Sequence, residues 1–148
     1  MASAEAVAAV IEAGGAHVPE LLDRLELRLA ELAASHGAVL GEHAGATISA
    51  GGKRLRPLLV FVAAGAAGDG VLRAAVAVEL IHSATLVHDD VLDGARLRRG
   101  RPTVVAAAGR ELATATGDLL FSRAFSELAA NGRADEVRVL SDASSALA

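Results

Sequence analysis

From Val71 to Val87 the only fully charged side chains are Arg73 and Glu79, and apolar residues surround the rest of the run. A helix of that kind has almost no solvent side, so it must sit at the centre of a bundle with other helices packed around it. The run then ends in three carboxylates, Asp89, Asp90 and Asp93. Asp89 and Asp93 are four apart, so on a helix they project from one face about a turn from each other. Asp90 lies roughly 100° round from Asp89, still within reach of a shared ion. Acids at the end of a buried helix need partners, because unpaired buried charge is costly. The spacing suits Mg²⁺, which takes one or two protein carboxylates and completes its shell with water and phosphate oxygens. Arg96, Arg98, Arg99 and Arg101 follow at once, and guanidinium groups match phosphate oxygens in a planar, two-pronged geometry. Carboxylates for a metal beside arginines for phosphate describe a diphosphate held from both sides. A solvated helix end followed by a basic loop has the same residues; the apolar helix leading into them separates the two readings.

The remaining composition agrees with helices. Hydrophobic residues make up 53% of the 148, but aromatic ones only 2%. The core is therefore built of Ala, Val and Leu, which favours close-packed helices over a β-sandwich. The length is one domain's worth of chain. With no cysteine, no disulfide framework exists. The net charge is −4, yet seven of the 14 basic residues fall in two stretches, Lys53, Arg54, Arg56 and Arg96, Arg98, Arg99, Arg101. Nucleic acid is excluded as the ligand of these patches by the acidic balance and the absence of Tyr and Trp for stacking on bases. A small phosphorylated ligand fits better. The N-terminus carries Glu5 and Glu12 and no basic region, unlike a secretory signal. The apolar run from Pro57 to Gly68 is too short to span a bilayer. A soluble, cytoplasmic protein without a transmembrane segment is expected.

Taken in order, Ser3 to Ala13 reads as a short helix ended by Gly14 and Gly15. Pro19 then opens an amphipathic helix with Leu22, Leu25, Leu29 and Leu32 on its apolar face, capped near Gly37. Val39 to Ser49 is a weaker helix, loosened by Gly41 and Gly45. His36 and His43 read as surface residues without partners. The stretch Gly51-Gly52-Lys53-Arg54-Leu55-Arg56-Pro57 breaks the pattern, and Pro57 starts a new helix. Lys53 and Arg56 thus stand at a helix head, where free N–H groups and the macrodipole also favour an anion. The logic is that of a phosphate loop, although the sequence is not a Walker motif. On the central helix His82, Thr85, Asp89 and Asp93 share a face, and Gly94 closes it. A further helix is expected from about Thr103 to Ala130, interrupted at Gly117-Asp118, with Asp118 read as a structural cap in preference to a member of the site. A last helix from near Asp135 carries Val137, Leu140 and Leu147. It meets no stop signal before Ala148, so a continuation is expected.

GGKRLRPLL followed by LIHSATLVHDDVLDGARLRRGRPT resembles the N-terminal half of a trans-polyprenyl diphosphate synthase, of the medium- or long-chain type such as heptaprenyl or octaprenyl diphosphate synthase. The likeness covers roughly Leu21 onward. It implies the all-α isoprenoid synthase fold, a helical bundle around a central cavity, with residues 1–148 forming one partial domain. It implies Mg²⁺-dependent head-to-tail condensation of isopentenyl diphosphate with an allylic diphosphate. Asp89 and Asp93 would coordinate Mg²⁺, with Asp90 in support, and Arg98 would hold the allylic diphosphate. Lys53, Arg56, His82 and Arg99 would hold isopentenyl diphosphate. Ala84, Thr85 and Ile81 would set chain length, since small residues below Asp89 leave a growing product room; a floor deeper down, near Ile81 and Val78, is expected. The family's second Asp-rich motif has no counterpart after Arg101. The chain is therefore expected to be inactive alone, as a partial synthase. The alternatives are a small subunit that completes a site with another chain, or a non-catalytic diphosphate-binding protein. A homodimer, or association with a complementary chain, is implied either way.

Overall fold

Apolar residues at helical spacing fold here into a bundle of eight helices among the described residues, 4–50 and 52–147 of a computed structural model, the side chain of residue 147 excepted. In chain order these are α1 (Ala4–Ala13), α2 (His17–Ala34), α3 (Gly37–Ser49), α4 (Leu55–Ala64), α5 (Asp69–Asp93), α6 (Val104–Ala108), α7 (Arg110–Ala129) and α8 (Ala134–Leu147). Between α5 and α6 lies a small hairpin, β1 (Leu97–Arg98) paired antiparallel with β2 (Arg101–Pro102). The expectations for Ser3, for Gly51 and for the side chain of Leu147 fall outside the described residues.

The 25-residue α5 is the axis. Its most extensive packing is against α7, with α4 and α2 on other sides. Ala75, Val76, Leu80, Ala84 and Val87 of α5 are buried against Leu21, Leu25 and Leu29 of α2, Leu58 and Phe61 of α4, and Leu120, Ala124 and Leu128 of α7, all one core. By length and composition alone α5 could cross a membrane, but more than half of its most apolar stretch is buried among these neighbours. The apolar stripe of α2 is Val18, Leu21, Leu25, Leu29 and Leu32; Leu22 is only half-buried. Ion pairs tie the helices crosswise. Arg28 of α2 donates to both carboxylate oxygens of the buried Glu127 on α7, and Arg24 reaches Asp69 at the head of α5, 2.6 Å away.

Three expectations need correction. The helix expected from Thr103 to Ala130 breaks at Gly109, not at Gly117-Asp118. Gly109 takes φ +87°, ψ 171°, which ends α6 and starts α7 and which only glycine adopts cheaply. Gly117 lies within an unbroken α7 for a packing reason: an added Cβ would stand 2.2 Å from Nε2 of His88. Asp118 is accordingly no cap, and its carboxylate meets that same His88 nitrogen at 3.2 Å. His36 also has a partner, the guanidinium of Arg123 on α7.

Candidate functional site

Three local structures converge at one end of α5. The helix itself stops at Gly94, whose N–H bonds back to the Asp90 carbonyl. Asp89 and Asp93 are exposed at this end, while Asp90 is buried, only 5% accessible. The hairpin follows and folds back onto the helix. Its two-residue turn, Arg99-Gly100, has positive φ at both positions, 52° and 77°, the mirror-image turn that suits the twist of a tight antiparallel pair. The turn puts Arg98 and Arg101 opposite each other. Thr103 then anchors the hairpin exit. Its hydroxyl donates to the Ala95 carbonyl at 2.6 Å and accepts from the N–H of Ala106, capping α6.

Arg98 turns inward. Its Nε and Nη2 both lie 2.9 Å from Oδ1 of Asp90. That hydrogen bond raises the Arg98 pKa above its ordinary value, and the charges of Asp90, Asp89 and Asp93 add to it. All three aspartates are thus near one guanidinium, but in different roles: Asp90 is the buried partner of Arg98, and Asp89 and Asp93 remain on the open side. Among the described residues no three acidic or histidine side chains cluster tightly enough to enclose an ion unaided. An open pair of carboxylates one turn apart still fits a hard divalent cation that draws most of its ligands from water and phosphate.

The third structure is the loop before α4. Lys53 and Arg56 stand on either side of Arg54 and, together with His82 of α5 and Arg99 of the hairpin turn, line one cleft of about 410 Å³. An ideal Cβ on Gly52 would lie 3.4 Å from Nη1 of Arg99, so the loop and the turn approach closely there. Residues 46 apart in sequence, Lys53 and Arg99, are thereby brought together, as expected. A second cleft of about 280 Å³ adjoins it and shares Thr47, Leu86 and Arg99; Asp90, Arg98, Arg101 and Thr103 form its far wall. The two run side by side along α5. A larger groove of about 630 Å³ between α2 and α3 has Ala and Gly walls and only Glu26 and Glu42 as charged residues, so an anion is unwelcome there.

The cleft is electropositive, and His82 records it. Partial burial lowers the His82 pKa below its ordinary value; Arg56, and more weakly Arg99 and Arg98, push it the same way, against an opposing contribution from Glu79. Backbone strain marks the same place. Among the described residues the two non-glycine residues with positive φ are Arg54, at 47°, and Arg99, at 52°. Left-handed backbone on a long side chain costs on the order of 1–3 kcal/mol and tends to be kept where geometry serves a site.

The chain-length candidates divide. Thr85 is half-buried on the stripe that also carries His82 and Asp89, its hydroxyl bonded to the His82 carbonyl at 2.8 Å. Ala84 is fully buried and Ile81 nearly so, both within the packed core. Sequence reasoning missed two residues. Arg54 is the hub of an ion-pair network, and His88 stacks on Phe121 with ring centroids 5.7 Å apart. Neither carries a sequence signal beyond its neighbours in the two motifs.

A family model for polyprenyl synthetases matches residues 38–148. The chain belongs to the polyprenyl synthetase family. Heptaprenyl diphosphate synthase component 2 of Geobacillus stearothermophilus is 46% identical over 121 residues, 78% of this chain and 38% of that protein. The crystal structure of a decaprenyl diphosphate synthase from Rhodobacter capsulatus superposes with a TM-score of 0.85 at 34% identity, covering 94% of this chain and 43% of that one. A polyprenyl synthase from Caulobacter crescentus, complexed with calcium and isoprenyl diphosphate, gives 0.80 at 33% identity, over 93% of this chain and 42% of its own. This polyprenyl synthetase relative thus has the all-α isoprenoid synthase fold and spans less than half the length of these relatives.

Proposed function

We propose that this chain supplies the substrate-binding half of a prenyltransferase that condenses isopentenyl diphosphate head-to-tail with an allylic diphosphate, with Mg²⁺ as cofactor. One observation carries the reading: Lys53, Arg56, His82 and Arg99 line one cleft beside the helix end where Asp89 and Asp93 stand open. Isopentenyl diphosphate would lie in that cleft, its charge met by Lys53, Arg56 and Arg99, with His82 donating a hydrogen bond. The allylic diphosphate would lie beyond it, against Asp89 and Asp93 and facing Arg98. When bound there, Mg²⁺ would neutralise charge on the departing diphosphate. Arg98, held at a fixed angle by Asp90, aims further positive charge at the same oxygens without reorganising, which is where electrostatic catalysis gains most. The first cleft adjoins the helix end that carries Asp89 and Asp93, so a double bond held in the cleft would lie beside a carbocation formed there. The hydrocarbon tail would run from Asp89 along the stripe of Thr85 and Val78.

A cytoplasmic location and a single partial domain belong to the same proposal, as does inactivity of the isolated chain. A second reading, a subunit that binds diphosphate and completes its site with another chain, is favoured by the half-open stripe of α5: His82, Thr85 and Val78 remain only half-buried. The name of the Geobacillus relative, a component 2, agrees with an arrangement of that kind, whether with a complementary chain or a second copy. Radiolabelled isopentenyl diphosphate, farnesyl diphosphate and Mg²⁺ with the purified chain test both readings. Binding of isopentenyl diphosphate without turnover is expected. No binding contradicts the proposal, and turnover contradicts the inactivity.

A further inference from the structure

Arg54 sits between Lys53 and Arg56 and lines the same cleft, but its side chain is drawn into the interior. Its side chain is 13% accessible, and four of its N–H directions are used. Nε and Nη2 donate to the two oxygens of Glu26 at 2.6 and 3.0 Å, Nη1 to Oε1 of Glu79 at 2.7 Å, and Nη2 to the Ile48 carbonyl at 3.0 Å. Of the five N–H donors of an arginine, one on Nη1 is left over, while the other four are committed to the protein. Its main partner in the interior is unusual in its place. Glu79 is a buried carboxylate, 6% accessible, on the wall of the cleft that also holds Lys53, Arg56, His82 and Arg99. A carboxylate there opposes any anion, and low local dielectric strengthens that opposition.

We infer that Arg54 is a positioning residue that holds the Glu79 carboxylate and cancels its charge, so that the cleft accepts a diphosphate instead of rejecting it. The inference rests on the diphosphate-binding reading of the cleft and adds a residue that acts through another. The left-handed backbone of Arg54, φ 47°, fits this division of labour. It breaks the run of the chain between Lys53 and α4, and the guanidinium spans from α2 to α5 underneath the loop. Glu26 is half exposed, so solvent screens its charge and it serves as the outer support of the clamp. The Arg54 pKa is raised by its hydrogen bond to Glu26 first and by Glu79 as well, so the guanidinium stays protonated.

Inorganic pyrophosphate binding to the full 148-residue chain, followed by titration calorimetry at low and high salt, tests this with a charge cycle. Lys53→Ala serves as the control for the cleft itself. Glu79→Gln, which keeps shape and removes the opposing charge, should tighten binding about threefold or more at low salt. Arg54→Gln should weaken it about tenfold, and Arg54→Gln with Glu79→Gln should return it to within about threefold of the unsubstituted chain. An ion pair that only stabilised the fold would show the same rescue, but Glu79→Gln alone would then weaken binding; an arginine touching the ligand would leave the double variant weak. Should Arg54→Gln fail to fold, Glu79→Gln and the double variant decide between the same outcomes. Failure of the rescue, or weaker binding in folded Glu79→Gln, overturns the inference alone. Absence of pyrophosphate binding by the unsubstituted chain overturns it together with the reading of the cleft.

Discussion

At the scale of single residues, the site separates groups that bear structure from groups that remain available. Asp90 and Arg98 hold each other, and Asp89 and Asp93 are exposed. Asp89→Asn or Asp93→Asn should therefore change global stability by no more than about 0.5 kcal/mol, as expected of exposed positions, while abolishing the Mg²⁺ dependence of farnesyl diphosphate binding. Denaturant melts and calorimetry with and without Mg²⁺ check this; a large loss of stability would show that the acids are structural. Asp90→Asn differs, since it leaves Arg98 without its charged partner and should be the more destabilising. His82 provides a pH signature. Its folded pKa lies below the ordinary value of about 6.5, so between the two the unfolded chain binds more protons than the folded one. Stability is then full above about 6.5 and falls as pH drops through the window beneath it. His82→Gln should flatten that part of the stability–pH curve, and unchanged slopes would contradict the burial argument. The spacing of these residues was legible in the sequence: Asp89 and Asp93 on one face, basic residues in two stretches. The engagement of Asp90 and Arg54 was not, because adjacent residues of like type are told apart only by which one the fold buries.

At the scale of elements, α5 and α7 meet at His88. Gly117 leaves room for the imidazole, which stacks on Phe121 and lies 3.2 Å from the Asp118 carboxylate. Gly117→Ala must displace that ring and should cost about 1–3 kcal/mol, as overpacking does. Chemical denaturation gives the magnitude, and loss of the ring-current shift between His88 and Phe121 in NMR gives the cause. A glycine in a helical pattern reads from sequence as a weak point; here it is a contact, and only the neighbouring helix reveals it. Gly109 is the reverse case, a true break that the Ala-rich pattern around it concealed. The hairpin was equally hidden, since Arg98-Arg99-Gly100-Arg101 reads as a basic loop and its strands are two residues each. The chain-length expectation is refined at this scale too. Ala84 is fully buried, so Ala84→Phe would strain the core as well as block a tail. Thr85→Phe, on the half-open stripe, isolates the second effect. In an assembled, active synthase it should shorten the product, and an unchanged product spectrum would place the tail elsewhere.

At the scale of the whole molecule, the bundle is a half-shell with a charged rim. Apart from the division of α6 from α7, its helices, their order and the central place of α5 were readable from apolar spacing and from the two motifs. The side-by-side clefts were not, because they depend on a loop before α4 approaching a turn after α5. The rim has two walls, cationic at Lys53, Arg56 and Arg99 and acidic at Asp89 and Asp93, which under the proposed function would hold diphosphates. The central claim is that the cationic wall works as one unit. Equilibrium dialysis of radiolabelled isopentenyl diphosphate against the purified chain tests it most directly. The account predicts saturable binding that needs no Mg²⁺, weakened at least about tenfold by Lys53→Ala and likewise by Arg99→Ala, and little changed by Asp89→Asn. Binding indifferent to Lys53 and Arg99, or no binding at all, would contradict it.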